Sequence, residues 1–99
     1  MNSVIVVGGG VSGILSALLL REKYEHVYLI ERAPKLGGLL SSVRSPEGDS
    51  FDYGTHYLVD TGQEKIDSLL FPPEWKQDWI YLPFLKAGNY FEGELNERC

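Results

Sequence analysis

SVIVVGGGVSG, residues Ser3 to Gly13, decides the reading of this chain. Ser3 to Val7 is a short apolar run rich in valine, the composition of a parallel strand buried on both faces. Gly8, Gly9 and Gly10 break it. From Val11 to Lys23 the pattern changes: Ile14, Leu15, Leu18 and Leu19 recur at helical spacing and Arg21, Glu22 and Lys23 form a polar end. His26 to Ile30 is a second run of strand formers, and Glu31 closes it. Strand, glycine turn, helix, strand and acid in that order are the parts that hold the adenosine end of a dinucleotide.

Gly8, Gly10 and Gly13 fit the spacing G-x-G-x-x-G. The first allows the tight turn off the strand. The second lets a pyrophosphate approach the backbone, and the third lets the helix pack close to the sheet. The helix N-terminus then offers free N–H groups to phosphate, and Ser12 adds a hydroxyl in the first turn. Glu31 is placed to accept hydrogen bonds from ribose hydroxyls and to repel a 2'-phosphate. The alternative for Glu31 is an ordinary surface acid after a strand.

The chain has 99 residues, nine Lys and Arg against fourteen Asp and Glu, and a formal charge of -5. With no basic cluster, this balance argues against a nucleic-acid partner. The apolar runs Val4 to Val7 and Ile14 to Leu20 are too short to span a bilayer. The start lacks the pattern of a signal peptide and reads as a cytoplasmic N-terminus. Cys99, the single cysteine, has no partner for an internal disulfide, so a reducing compartment is the plain expectation.

Beyond Glu31, residues 31 to 50 read as loop and turn. Leu39 to Arg44 and Phe51 to Tyr53 are candidate hairpin strands around Ser45 to Gly48. Gln63 to Leu70 is a short amphipathic helix candidate, with Thr61 and Glu64 as a capping box and Pro72-Pro73 as its stop. Trp79 to Lys86 and Tyr90 to Glu92 suggest a second hairpin around Ala87, Gly88 and Asn89, with Pro83 at an edge or bulge. Trp75, Trp79, Tyr81, Phe84, Tyr90 and Phe91 make an aromatic-rich tail, suited to core and domain-junction packing or to a substrate cavity.

Glu31-Arg32, then Pro34, then Gly37-Gly38, resembles the extended flavin signature of the amine oxidase, protoporphyrinogen oxidase and phytoene desaturase superfamily, and is similar in the same places to UDP-galactopyranose mutase. The resemblance covers residues 3 to 39 and is specific for the superfamily, not for a reaction. It implies an α/β fold: a Rossmann-like FAD-binding β-α-β unit with a parallel sheet, followed by small hairpin and helix elements. On this reading residues 1-99 are the N-terminal part of the FAD-binding domain of a two-domain flavoprotein. Residues 1-40 carry the dinucleotide-binding core and the flavin signature, and 79-99 begin the substrate domain. The expectation is a fragment of a longer chain.

The implied cofactor is FAD, held noncovalently and extended. The cofactor-binding candidates are Gly8, Gly10, Ser12, Gly13, Glu31, Arg32, Gly37, Gly38, Leu39 and His56. Arg32 would lie by the adenosine and phosphates, or else pair with a nearby carboxylate. Gly37 and Gly38 would let the loop pass close to the pyrophosphate and ribityl chain; a simple turn before a strand is the other account. Arg44 is a weaker candidate.

Asp52 to Tyr57 is the second resemblance, since relatives carry an acid, a glycine and a histidine near the flavin ring. Thr55 stands where the mutases have proline and Tyr57 where they have an aliphatic residue, which weakens a mutase assignment. His56 is the catalytic candidate, able to bond a flavin, position a substrate or move a proton, against a structural histidine as the alternative. His26 reads as surface. Asp52 and Asp60 read as loop-orienting, and two separated histidines make no metal site.

The function expected is the FAD-binding part of an amine oxidase-like oxidoreductase that oxidises an amine or carbon skeleton by hydride transfer to flavin. The alternatives are a sugar-nucleotide mutase using reduced flavin, a noncatalytic truncated nucleotide-binding module, and a plain NAD dehydrogenase, which the Glu31 to Gly38 signature disfavours. The partner is a small molecule: an amine, an isoprenoid- or tetrapyrrole-like skeleton, or a nucleotide-sugar.

Overall fold

A computed structural model of the protein describes residues 2–96, so Cys99 lies outside the described residues. Strand β1 (Ser3–Val7) and strand β2 (His26–Ile30) pair in parallel, from Ser3 opposite His26 to Val7 opposite Ile30. Helix α1 (Val11–Leu20) makes the crossover and packs against both strands. This is the expected Rossmann-like β-α-β unit.

The pairing sets which face is covered. Val4, Val6, Val27 and Leu29 are half-buried, and the Leu29 side chain lies 3.7 Å from where a Cβ would sit on Gly13 of α1. The alternate residues Ile5, Val7, Tyr28 and Ile30 point to the other face and are exposed, Val7 by 80%. The strands are apolar on both faces, as parallel strands are, but α1 covers only one.

The helix was expected to reach Lys23 and ends at Leu20. Three amides fold back as a turn instead: Glu22 onto the Leu19 carbonyl, and Lys23 and Tyr24 onto that of Leu20. Asn2 pins this turn, accepting from the Glu25 N–H and donating to the Lys23 carbonyl. The connection must reverse to start β2 beside β1, so the polar end of the helical pattern becomes the reversal.

Strands β3 (Ser42–Arg44) and β4 (Ser50–Asp52) form the first hairpin, with the Gly48 N–H on the Ser45 carbonyl at 3.0 Å in the turn. The first strand was expected from Leu39. Gly38–Leu40 is instead a 3-10 turn, held by the Ser41 hydroxyl on the Gly38 carbonyl at 2.6 Å. Asp52 does orient this hairpin, accepting from the Ser42 hydroxyl.

Helix α2 (Glu64–Leu70) stands where expected but its cap differs. Asp67, not Glu64, closes the entry: its Oδ1 accepts from the Thr61 N–H at 2.7 Å and the Thr61 hydroxyl at 2.8 Å. The Thr61 hydroxyl in turn accepts from the Gln63 N–H at 3.2 Å. Lys65 pairs with Glu22, tying α2 to the turn after α1. After Pro72 the chain forms a 3-10 helix, Pro73–Asp78, and Phe71 meets Trp79 edge to face at 5.1 Å.

The last hairpin is shifted from its expected place. Trp79 to Lys86 forms no strand; β5 (Asn89–Phe91) pairs with β6 (Glu94–Asn96). The reversal falls at Glu92 and Gly93, both at positive φ (50° and 86°), the tight two-residue turn that favours glycine. Pro83 removes a donor from the segment expected to be a strand.

Among the described residues no apolar side chain is buried. The radius of gyration is 17.9 Å, against about 13 Å for a compact domain of this size. Neither hairpin nor α2 packs broadly on the β-α-β unit, which is met instead by the loop at Gly37 and Gly38 and by Lys65.

Candidate nucleotide-binding cleft

The site begins where β1 ends. Gly8 takes φ 103°, a conformation glycine adopts without penalty, and its N–H bonds the Ile30 carbonyl at 2.8 Å. The turn is thereby clamped to the end of β2. Gly13 has a different reason to be glycine: a Cβ there would lie 1.8 Å from the Gly8 carbonyl oxygen. That contact brings α1 close against the turn.

Gly10 is unlike either. Its backbone is ordinary extended chain, and a Cβ on it would meet nothing within 4 Å. Nothing inside the protein requires glycine at this position. Gly10 is also the N-cap of α1, where no side chain caps the helix, so its first N–H groups face outward with their partial positive charge.

These groups line one cleft of ≈ 580 Å³. Gly8, Gly10, Ser12 and Gly13 form one wall, and Gly37, Leu39 and Leu40 the second. His56, Tyr57 and Leu58 come from the segment after β4. Seven of the candidates read from sequence thus meet: Gly8, Gly10, Ser12, Gly13, Gly37, Leu39 and His56. Val7, Val11, Leu40, Tyr57 and Leu58 complete the lining and give it an apolar share that motif spacing does not show.

Glu31, Arg32 and Gly38 lie outside the lining. Gly38 packs on the turn, with its Cβ position 3.1 Å from the Gly10 Cα. Arg32 is exposed beside Glu31. Arg44 is in a separate open cleft with Lys35, Ser42 and Tyr53. The Glu31 carboxylate sits behind the turn: Oε2 accepts from the Gly9 N–H at 2.6 Å and Oε1 from the Ala33 N–H at 2.7 Å. Those two bonds, Ala33 first and then Gly9, hold its pKa below the ordinary glutamate value; burial opposes them and Arg32 adds a smaller push in the same direction.

Gly9 is the residue that sequence reading passed over. It falls between the motif glycines, yet it is the only buried residue among those described. Its carbonyl accepts from the Gly37 N–H at 2.8 Å while its own N–H serves Glu31. The one available signal was that three consecutive glycines exceed what G-x-G-x-x-G needs at this turn.

Among the described residues no cluster of His, Cys, Asp and Glu is arranged to hold a metal ion, and no helix is long and apolar enough to cross a membrane.

Comparison with known proteins agrees with this geometry. The family model for NAD(P)-binding Rossmann-like domains matches residues 6–70. The chain is 34% identical to protoporphyrinogen oxidase of Bos taurus over 84 residues, covering 83% of this chain and 18% of that protein. It is 38% identical to flavin-containing amine oxidase A of Bos taurus over 61 residues, covering 62% of this chain and 12% of that protein. It is 40% identical over 89 residues to an uncharacterized protein in the nifH2 3' region of Methanothermococcus thermolithotrophicus, covering 89% of this chain and 80% of that one. The chain therefore spans less than a fifth of the length of the two oxidases. No solved structure matches it. With the parallel unit, the glycine turn and the matched span in agreement, the chain belongs to the family of NAD(P)-binding Rossmann-like domains and resembles, distantly, the amine oxidase and protoporphyrinogen oxidase superfamily.

Proposed function

We propose that the cleft holds the adenosine diphosphate part of FAD, and that the chain is the cofactor-gripping portion of a flavin-dependent oxidoreductase. The observation that carries this reading is Gly10: glycine with no internal cause, at an uncapped helix N-terminus, opening onto a cleft. A pyrophosphate supplies the missing cause, because it needs close backbone approach and free N–H groups. FAD is preferred over a nicotinamide dinucleotide because the Glu31 to Gly38 signature resembles flavoproteins and a relative is named as flavin-containing.

Each side chain has a role in that reading. The α1 amides and the Ser12 hydroxyl bind the phosphates. Glu31 is ionised at neutral pH, and its oxygens accept from the ribose hydroxyls beside the two backbone bonds they already hold. Arg32 serves the adenosine and phosphate edge from outside the lining. Gly37 and Leu39 wall the path toward the ribityl chain, Gly38 packs behind them on the turn, and His56, in the same lining, meets the flavin or substrate. When bound, the flavin supplies an acceptor for a hydride or its equivalent from an amine or a carbon skeleton.

Gly10→Val tests the reading. A Cβ at position 10 meets nothing within 4 Å, so the β-α-β unit should keep its helical circular dichroism. Calorimetric titration with ADP should give at least about a tenfold weaker affinity than the parent chain. Unchanged ADP affinity in the folded variant would remove the assigned role.

A further inference from the structure

The Glu31 carboxylate holds two backbone N–H groups, those of Gly9 and Ala33. Gly9 belongs to the glycine turn, and Ala33 opens the loop that leads to Gly37 and the second wall of the cleft. A third bond, Gly37 N–H to the Gly9 carbonyl at 2.8 Å, closes the same loop onto the same residue. Turn and loop therefore meet at Gly9, and Glu31 is the side chain that spans them.

The space around Gly9 fits this arrangement. A Cβ there would lie 3.1 Å from both the Glu31 Cβ and Oε2, and 2.5 Å from the Leu36 Cδ2. The Leu36 tip can swing aside. Glu31 cannot withdraw without lengthening its bond to the Gly9 N–H, because the crowded oxygen is the one that accepts it. Arg32 is the charged neighbour acting on the carboxylate, and it favours the ionised, accepting form.

We propose that Glu31 is a positioning residue that braces the glycine turn against loop 32–37, through a contact that glycine at position 9 permits. The brace sets the distance between the two cleft walls. Its purpose rests on the nucleotide reading, but the bonds that form it lie wholly within the chain. Its test is accordingly made without nucleotide, so a failure of ADP binding does not register in it.

The experiment is amide hydrogen exchange by NMR on the full chain and on Glu31→Gln. Glutamine keeps one acceptor oxygen and turns an NH₂ donor toward the second N–H, so both bonds cannot survive. Exchange at Gly9 or Ala33 should accelerate by about tenfold or more, while amides in the middle of α1, such as Leu18, keep their rates. Unchanged rates at both Gly9 and Ala33 would overturn the brace. Should the variant lose α1 protection as well, the parent chain still decides. On acidification the Gly9 and Ala33 amide shifts should move together with the Glu31 carboxyl carbon, through one transition below the ordinary glutamate range. Independent or absent transitions would overturn the proposal.

Discussion

The segment from Ser3 to Gly38 and the segment from Tyr53 to Asn96 use similar material to opposite effect. Both carry many apolar side chains, and the second adds most of the aromatic ones. In the first, parallel pairing, one helix and three backbone contacts at glycines fix every element against another. In the second, a short helix, a 3-10 helix and a hairpin follow one another, and among its described residues Phe71 with Trp79 is the one ring pair. Ile80, Tyr81 and Phe84 stand exposed at 88%, 81% and 74%. The difference teaches that apolar content does not make a core. A β-α-β unit supplies its own partners within a few tens of residues, whereas the later aromatic segment supplies few.

The sharpest way to break this comparison is Gly13→Ala. A methyl group 1.8 Å from the Gly8 carbonyl has nowhere to go, because the obstacle is backbone. The β-α-β unit should lose on the order of 3 kcal/mol or more, beyond ordinary overpacking, and with it the α1 helical signal. A variant with parental denaturant stability would show that the close helix–turn approach is not needed. Gly10→Val is its counterpart, three residues away, with fold kept and ADP affinity lost.

A smaller effect compares the regions by pH. Glu31 in the first and Asp67 in the second both have pKa values held below their ordinary ones, chiefly by hydrogen bonds from Ala33 and Gly9 and from Thr61. A lowered folded pKa adds stability that is present above the unfolded value and lost as pH falls through the folded one. Acidification below the ordinary carboxylate range should therefore loosen the glycine turn and the α2 entry, read by exchange at Gly9 and Thr61. Both sites staying protected through that range would contradict the assigned bonds. The smallest effect is expected for Lys65→Ala. Its pair with Glu22 is more than half exposed on both sides, and thermal unfolding should not shift measurably. A clear fall in melting temperature would show that α2 is tied to the first region more tightly than one surface pair implies.

Legibility in the sequence followed the same division. The strands Ser3–Val7 and His26–Ile30 were readable because an apolar run, a glycine break and a change of period are local signals. The cleft-lining glycines were readable because their spacing has a physical cause. The brace at Gly9 was not, since it depends on the Glu31 carboxylate folding back over the turn. The α2 entry was misread because Thr61 has two acidic residues within reach and only geometry selects Asp67 over Glu64. The last hairpin was misplaced because Gly88 and Gly93 both offer turns. Gly93 follows Glu92 in the tight reversal, while Gly88 lies where a Cβ would approach the Asn96 carbonyl oxygen to 2.9 Å.

The central claim is that the glycine turn and the loop behind it form one nucleotide cleft. Amide shift mapping of the full chain during titration with ADP tests it most directly. The account predicts saturable shifts concentrated at Gly8 to Gly13 and Gly37 to Leu39, with β5 and β6 unmoved. Saturation without shifts at Gly10 and Ser12, or no shifts at all, would contradict it.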